Sequence, residues 1–106
     1  MGFFDFIKPA DINQGIKEYE AASGAILIDV RTPQEYKDGH IPKSRNIPLS
    51  GIEKAKQIIP QKDTPVFVYC YSGSRSRQAV QILGKMGFIA VKNIGGFAGY
   101  SGKVER

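Results

Sequence analysis

This sequence of 106 residues is poor in several residue types. It has one cysteine, one histidine and no tryptophan. A single cysteine excludes an intramolecular disulfide and any multi-cysteine metal site, and the lone His40 has no second imidazole with which to form a zinc pair. No metal and no cofactor are therefore expected. Long hydrophobic runs are missing too. The apolar cluster near the start, Phe3, Phe4, Phe6 and Ile7, is interrupted by Asp5 and ended by Lys8-Pro9, too short for a signal-peptide core or a membrane span. It reads as a segment folded onto the core. Gly2 follows the initiator Met, but Phe6 stands where the myristoylation pattern requires Ser or Thr. The expectation is a cytoplasmic protein with no membrane span.

Nor is there a block of one charge sign. Lys and Arg number 15 against 10 Asp and Glu, for a net charge of +5. The cations are interleaved with acids, with no run of five and no basic helix face, so nucleic acid is not an expected partner. The surplus mildly favours small anions. Repeats, low-complexity stretches and Ser/Gly-rich linkers are absent, and the length fits one compact domain. An N-terminal segment, 1–10, followed by a single domain, 11–106, is the expected organisation. With 42% apolar and 24% charged residues the composition is that of a globular domain.

Within that domain helices and strands alternate. Asp11 with Gln14 three residues later, then Ile12, Ile16 and Tyr19 at helical spacing, predict a helix over 11–22 stopped by Gly24. The apolar run 25–30 predicts a strand buried on both faces, which implies a parallel sheet. Thr32-Pro33-Gln34-Glu35 reads as a capping box for a short helix ending at Gly39. Ser50 and Glu53 repeat the device for a helix over 51–59, stopped by Pro60. A short strand is expected over 44–47, and 65–70 is the clearest strand in the chain. Ala79, Ile82, Leu83 and Met86 mark a helix over 75–86 closed by Gly87, and 89–94 supplies the last strand. The fold class is α/β, a central, mostly parallel sheet with helices on both faces.

In such sheets ligands bind beyond the carboxyl ends of the strands. Cys70 occupies that place, and Tyr71-Ser72-Gly73-Ser74-Arg75 leads straight from it into a helix. A free cysteine is most often a small buried hydrophobe, but that role needs neither a Gly and Ser curl nor an arginine behind it. Such a curl turns successive N–H groups inward, and with the helix N-terminus and Arg75 it favours the thiolate.

Three blocks give the chain a family resemblance. The stretch Leu27 to Tyr36, followed by Gly39-His40-Ile41-Pro42 and Asn46-Ile47-Pro48, resembles the strand-and-turn motif of the rhodanese family. The loop Cys70 to Arg75 running into Ser76 is similar to that family's active-site loop, and Gly95-Gly96-Phe97 to its Gly-Gly signature. The resemblance spans roughly Asp11 to Gly102. It implies a rhodanese-like domain with sulfurtransferase activity, Cys70 as persulfide carrier, and the backbone of 71–75 as cradle for the transferred sulfur. Arg75 would attract a small anionic donor, and a thiol, free or on another protein, would accept. Asp29, Arg31, Glu35 and His40 would be supporting framework residues, with Arg31 and Glu35 as an ion pair. The chain departs from the pattern at Lys43-Ser44, where Gly-Ala is usual, and at Tyr100, where Trp is frequent.

Two other readings compete with sulfur transfer. Cysteine phosphatases and arsenate reductases share the fold but place Arg after five residues. Here Arg75 comes after four, Ser76 holds the phosphatase position, and Arg77 is one place too far. Rhodanese-like binding or regulatory modules generally lack the cysteine that this chain keeps, whereas a sulfur-carrier module without robust thiosulfate activity would share it.

Overall fold

The computed structural model describes residues 10–106; the Phe-rich cluster at 3–7 lies outside them. Helix α1 (Ile12–Ala21) is capped by Asp11, whose carboxylate accepts the N–H of Asn13 at 3.0 Å and of Gln14 at 3.5 Å. Strand β1 (Ile26–Asp29) leads to α2 (Pro33–Asp38), where the expected capping box is present: Thr32 accepts the N–H of Glu35, and Glu35 accepts the N–H of Thr32. After a two-residue β2 (Arg45–Asn46) come a 3₁₀ segment (Leu49–Gln57), β3 (Val66–Cys70), α3 (Ser74–Lys85), β4 (Val91–Gly96) and a 3₁₀ turn (Phe97–Gly99). The four strands lie in the order β2-β1-β3-β4, all parallel. No helix among the described residues is long and apolar enough to cross a membrane.

Side-chain alternation along the strands sorts the core into two layers. Ile28 of β1 and Val66, Val68 and Cys70 of β3 point to one face, where Ile52, Ala55, Ala79 and Leu83 of the 3₁₀ segment and α3 cover them. Leu27, Phe67, Tyr69 and Ile94 point to the other, beneath Ile12 of α1 and Ile41. Every residue of β3 is buried, as its unbroken apolar run requires. Period two therefore decides that the Cys70 sulfur faces α3 and not α1.

Three elements differ from expectation. Ser50 makes no capping box, because Gly51 leaves helical geometry (φ −124, ψ 29) and its N–H bonds back to the carbonyl of Pro48, giving 3₁₀ turns where an α-helix was predicted. Helix α3 begins at Ser74, one residue early, behind Gly73 in the left-handed region. The last strand lies two residues later than its apolar run suggested. Ile89 is 78% exposed, and Gly95 and Gly96 pair with Tyr69 and Cys70 beyond a bulge. The pairing is possible because neither glycine has a side chain: a Cβ on Gly96 would fall 2.3 Å from the carbonyl oxygen of Tyr71, and one on Gly95 would fall 2.6 Å from that of Ala10. Lys43 carries a positive φ of 72, the left-handed conformation that glycine adopts without strain.

Candidate active site

Cys70 ends β3 with no solvent exposure. The chain then turns over it. Gly73, at φ +99, is the residue that lets the turn close, and its N–H donates to the Cys70 Sγ at 2.9 Å. The loop rests on β4 and the turn after it: Gly96 lies beneath Tyr71 and Ser72, and the N–H of Ala98 donates to the Tyr71 carbonyl at 3.1 Å. Ser76, in the first turn of α3, is fully buried with its Oγ 3.5 Å from the sulfur. Burial alone pushes the Cys70 thiol up. The Ser76 hydroxyl and the backbone N–H groups of Ser76, Gly73 and Ser72 outweigh it, and the net displacement is downward. The first turn of α3 holds no acidic side chain, so a thiolate at Cys70 is the anion placed at this helix N-terminus.

The charged groups nearby are arranged differently from the sequence reading. Arg31 does not pair with Glu35. It folds back on Asp29, two residues before it, with Nη2–Oδ2 at 2.7 Å and both groups buried, and donates a further bond to the Gly39 carbonyl at 2.7 Å. Its guanidinium lies 4.4 Å from the centre of the Phe97 ring. The buried carboxylate needs a partner, and the adjacent Arg31 supplies both its backbone N–H and its side chain.

Glu35 instead takes Arg75, with two bonds of 2.7 and 3.1 Å that tie α2 to the first turn of α3. That guanidinium first, with help from Thr32, holds the Glu35 carboxyl down at about 2. Arg75 thus lies beside the loop as expected, but Glu35 offsets much of the charge it could offer a donor.

His40 stands apart from the loop. Its ring stacks on Tyr36 at 3.7 Å, its Nδ1 donates to the Tyr36 carbonyl at 2.8 Å, and its backbone exchanges two hydrogen bonds with Glu105. Tyr71 is 52% exposed beside the sulfur and helps line a groove of about 290 Å³ shared with Phe97, Val104, Asp38 and Arg106. Tyr100, at the departure noted above, stacks on Phe97 and donates its hydroxyl to the Lys103 carbonyl.

Sequence reasoning missed Asn93. Its amide bonds to Ser76, Gly73 and Gly95. The one signal was a polar residue inside an apolar strand, two places before Gly95-Gly96.

The sequence pattern described as the rhodanese-like domain matches residues 8–103. Over 82 residues the chain is 45% identical to the uncharacterized protein YqhL of Bacillus subtilis, covering 76% of this chain and 64% of that protein, so it spans just under two thirds of that relative's length. Over 70 residues it is 43% identical to the thiosulfate sulfurtransferase PspE of Escherichia coli, covering 65% of this chain and 67% of the relative. Among solved structures, a rhodanese with anions from E. coli aligns with a TM-score of 0.73 at 36% identity, over 77% of this chain and 98% of that one. The human single-domain sulfurtransferase TSTD1 aligns with a TM-score of 0.72 at 25% identity, over 87% of this chain and 94% of that one.

Proposed function

The chain belongs to the rhodanese-like domain family, and from that premise we propose that it is a sulfurtransferase moving a sulfane sulfur from a donor such as thiosulfate to a thiophilic acceptor through a persulfide on Cys70. The observation that carries the reading is the closure of the loop on the sulfur itself, with the Gly73 N–H at 2.9 Å from Sγ. N–H donors fixed in advance around one atom stabilise negative charge there at no reorganisation cost. The same donors that favour a thiolate favour a persulfide anion.

In the first half-reaction the Cys70 thiolate attacks the outer sulfur of thiosulfate. A new S–S bond forms, the old one breaks, and sulfite leaves with its electron pair, so no general acid is required. In the second, an acceptor thiolate or cyanide attacks the outer sulfur of the persulfide and returns the Cys70 thiolate. The sulfur is enclosed, and Tyr71 and Ser72 form the exposed rim of the loop above it. A groove lined by Tyr71, Arg31 and Phe97 adjoins this rim, and we assign it to the acceptor, a small thiol or a thiol on another protein.

Phosphate chemistry is disfavoured. Cysteine phosphatases place their arginine after five residues, where this chain has Ser76, buried with its Oγ 3.5 Å from the sulfur.

Intact-mass spectrometry after incubation with thiosulfate tests the proposal. The protein should gain the mass of one sulfur atom, and a reductant should remove it. Cys70→Ser should gain nothing while unfolding within about 1 kcal/mol of wild type, since the change in volume is small. No gain with thiosulfate or with any other sulfane donor would sink the reading.

A further inference from the structure

Three acceptors inside the loop compete for one hydrogen. The Ser76 Oγ lies 2.7 Å from the Asn93 Oδ1, 3.1 Å from the Gly73 carbonyl oxygen and 3.5 Å from the Cys70 Sγ. A hydroxyl can donate only once. The shortest contact is to Asn93, and the other partners of that amide fix which way it faces. Nδ2 donates to the Gly73 carbonyl at 3.1 Å, and Oδ1 accepts the N–H of Gly95 at 2.9 Å. Turning the amide over would set NH₂ against N–H and oxygen against carbonyl, replacing two bonds by two repulsions. Oδ1 therefore faces Ser76, and Ser76 donates to it. The lone pairs of the hydroxyl are then left to accept the Cys70 S–H.

We infer that Asn93 is a positioning residue for Cys70: its amide holds the Ser76 hydroxyl hydrogen while the sulfur is a thiol and releases it to the sulfur once the sulfur is an anion. The inference rests on the reading of Cys70 as the reacting sulfur. When the thiol ionises, its proton leaves to solvent, and the hydroxyl keeps its own hydrogen and only rotates. A hydrogen bond to an anion is roughly twice as strong as one between neutral groups, and this drives the rotation despite the longer reach. Forming the anion thus carries a built-in cost, the loss of the Ser76–Asn93 bond. Asn93 in this way offsets part of what the Ser76 hydroxyl gives the anion, and it holds the Gly73 carbonyl so that the peptide chain stays curled over the sulfur.

The charged groups facing this corner are few and already paired. Arg75 on α3 is matched by Glu35 on α2, and Asp29 at the end of β1 by Arg31. The 3₁₀ segment contributes the apolar Ile52 and Ala55 to the cluster that contains Cys70, and β4 contributes the neutral Asn93.

With a single cysteine in the chain, the ultraviolet absorbance of the thiolate reads the state of this sulfur directly, without any sulfane donor. Asn93→Ala should lower the midpoint of the Cys70 titration by about 0.5–1 pH unit, the equivalent of one hydrogen bond that no longer has to be broken. The Gly73 carbonyl keeps its bond from the Arg77 N–H at 3.1 Å, so the start of the helix is retained. Ser76→Ala should raise the midpoint, and adding Asn93→Ala to it should then change nothing.

Asn93→Asp keeps an acceptor for the Gly95 N–H and serves if the alanine variant does not fold. Its carboxylate holds the hydroxyl more firmly and should raise the midpoint, by less when Ser76 is alanine. Equal shifts in both Ser76 backgrounds, or no shift, would overturn the inference. Failure of sulfur transfer looks different: no mass gain from thiosulfate in a protein whose Asn93 and Ser76 shifts remain coupled.

Discussion

Strands β1 and β3 run side by side, Asp29 opposite Tyr69, and finish one residue apart at the carboxyl end of the sheet. Their ends are nonetheless built on opposite plans. At the end of β1 a buried carboxylate is matched at once by the Arg31 guanidinium and backbone N–H, and the guanidinium is matched again by the Gly39 carbonyl. At the end of β3 the group is a buried thiol, which needs little from its surroundings, yet N–H groups and a hydroxyl converge on it. The first end is satisfied as it stands. The second has more donors than its neutral state uses, and that surplus makes the anion accessible. A strand end becomes a framework or a reactive site according to whether its partners match the resting group or the group that the chemistry creates.

The sharpest way to break this contrast is to unbalance the end of β1. Arg31→Met leaves the Asp29 carboxylate buried without its cation, and the loss should be about 3–5 kcal/mol. That is a large part of the roughly 5–15 kcal/mol that holds a small domain folded. Urea unfolding measures it. A loss below about 1 kcal/mol would mean that this end is no more a framework than the end of β3.

At the end of β3 the corresponding lesion is Gly96→Ala. The added Cβ would sit 2.3 Å from the Tyr71 carbonyl oxygen, so the loop must move while the strands stay put. Displacing the cradle by about 1 Å should cost about a hundredfold in sulfur transfer from thiosulfate to cyanide. Stability should fall by about 1–3 kcal/mol, the usual range for overpacking. Transfer at the wild-type rate in a folded variant would show that loop shape does not set activity.

The half-exposed Glu35–Arg75 pair lies between these extremes, and pH probes it. The Glu35 carboxyl is held down at about 2, below its unfolded value of roughly 4.3. Its contribution is therefore present above pH ~4.3 and lost as the pH falls through about 2. Thermal midpoints taken from pH 6 down to about 2 should fall less steeply in Arg75→Ala than in wild type, by an amount worth about 1 kcal/mol or less after solvent screening. Parallel curves would show that Arg75 leaves the Glu35 carboxyl unperturbed. The smallest effect serves as a control. Gly84 lies within α3, and a Cβ there would meet nothing within 4 Å. Gly84→Ala should therefore raise stability by about 0.5–1 kcal/mol with sulfur transfer unchanged. A loss of transfer would mean that α3 acts on the sulfur through more than its first turn.

How much of the site was legible depended on how local each interaction is. The capping box of Thr32 and Glu35 spans three residues and was found where expected. The Cys70-to-Ser76 loop is a contiguous stretch whose glycine and strand-to-helix position can be read in order. The partner of Glu35 could not be read in this way, because Arg75 lies 40 positions along the chain and meets it only when α2 and α3 dock. Proximity in sequence favoured Arg31, but Arg31 was needed by the carboxylate beside it, which burial made more demanding. Asn93 escaped for the same reason, since its three partners lie on a helix, on a loop and across a bulge.

Composition and pattern by themselves determined an α/β fold around a parallel sheet, because unbroken apolar strands flanked by capped helices have few other ways to bury themselves. They also determined that its only thiol stands at the carboxyl end of the most buried strand. Only the tertiary structure decided which cation meets which acid, how far β4 slides to bring Gly95-Gly96 beneath the loop, and where the Ser76 hydrogen goes. These are long-range choices among groups of the same chemistry. They turn on distances of a few tenths of an ångström and on the direction of single hydrogen bonds, quantities that do not exist until the strands have docked.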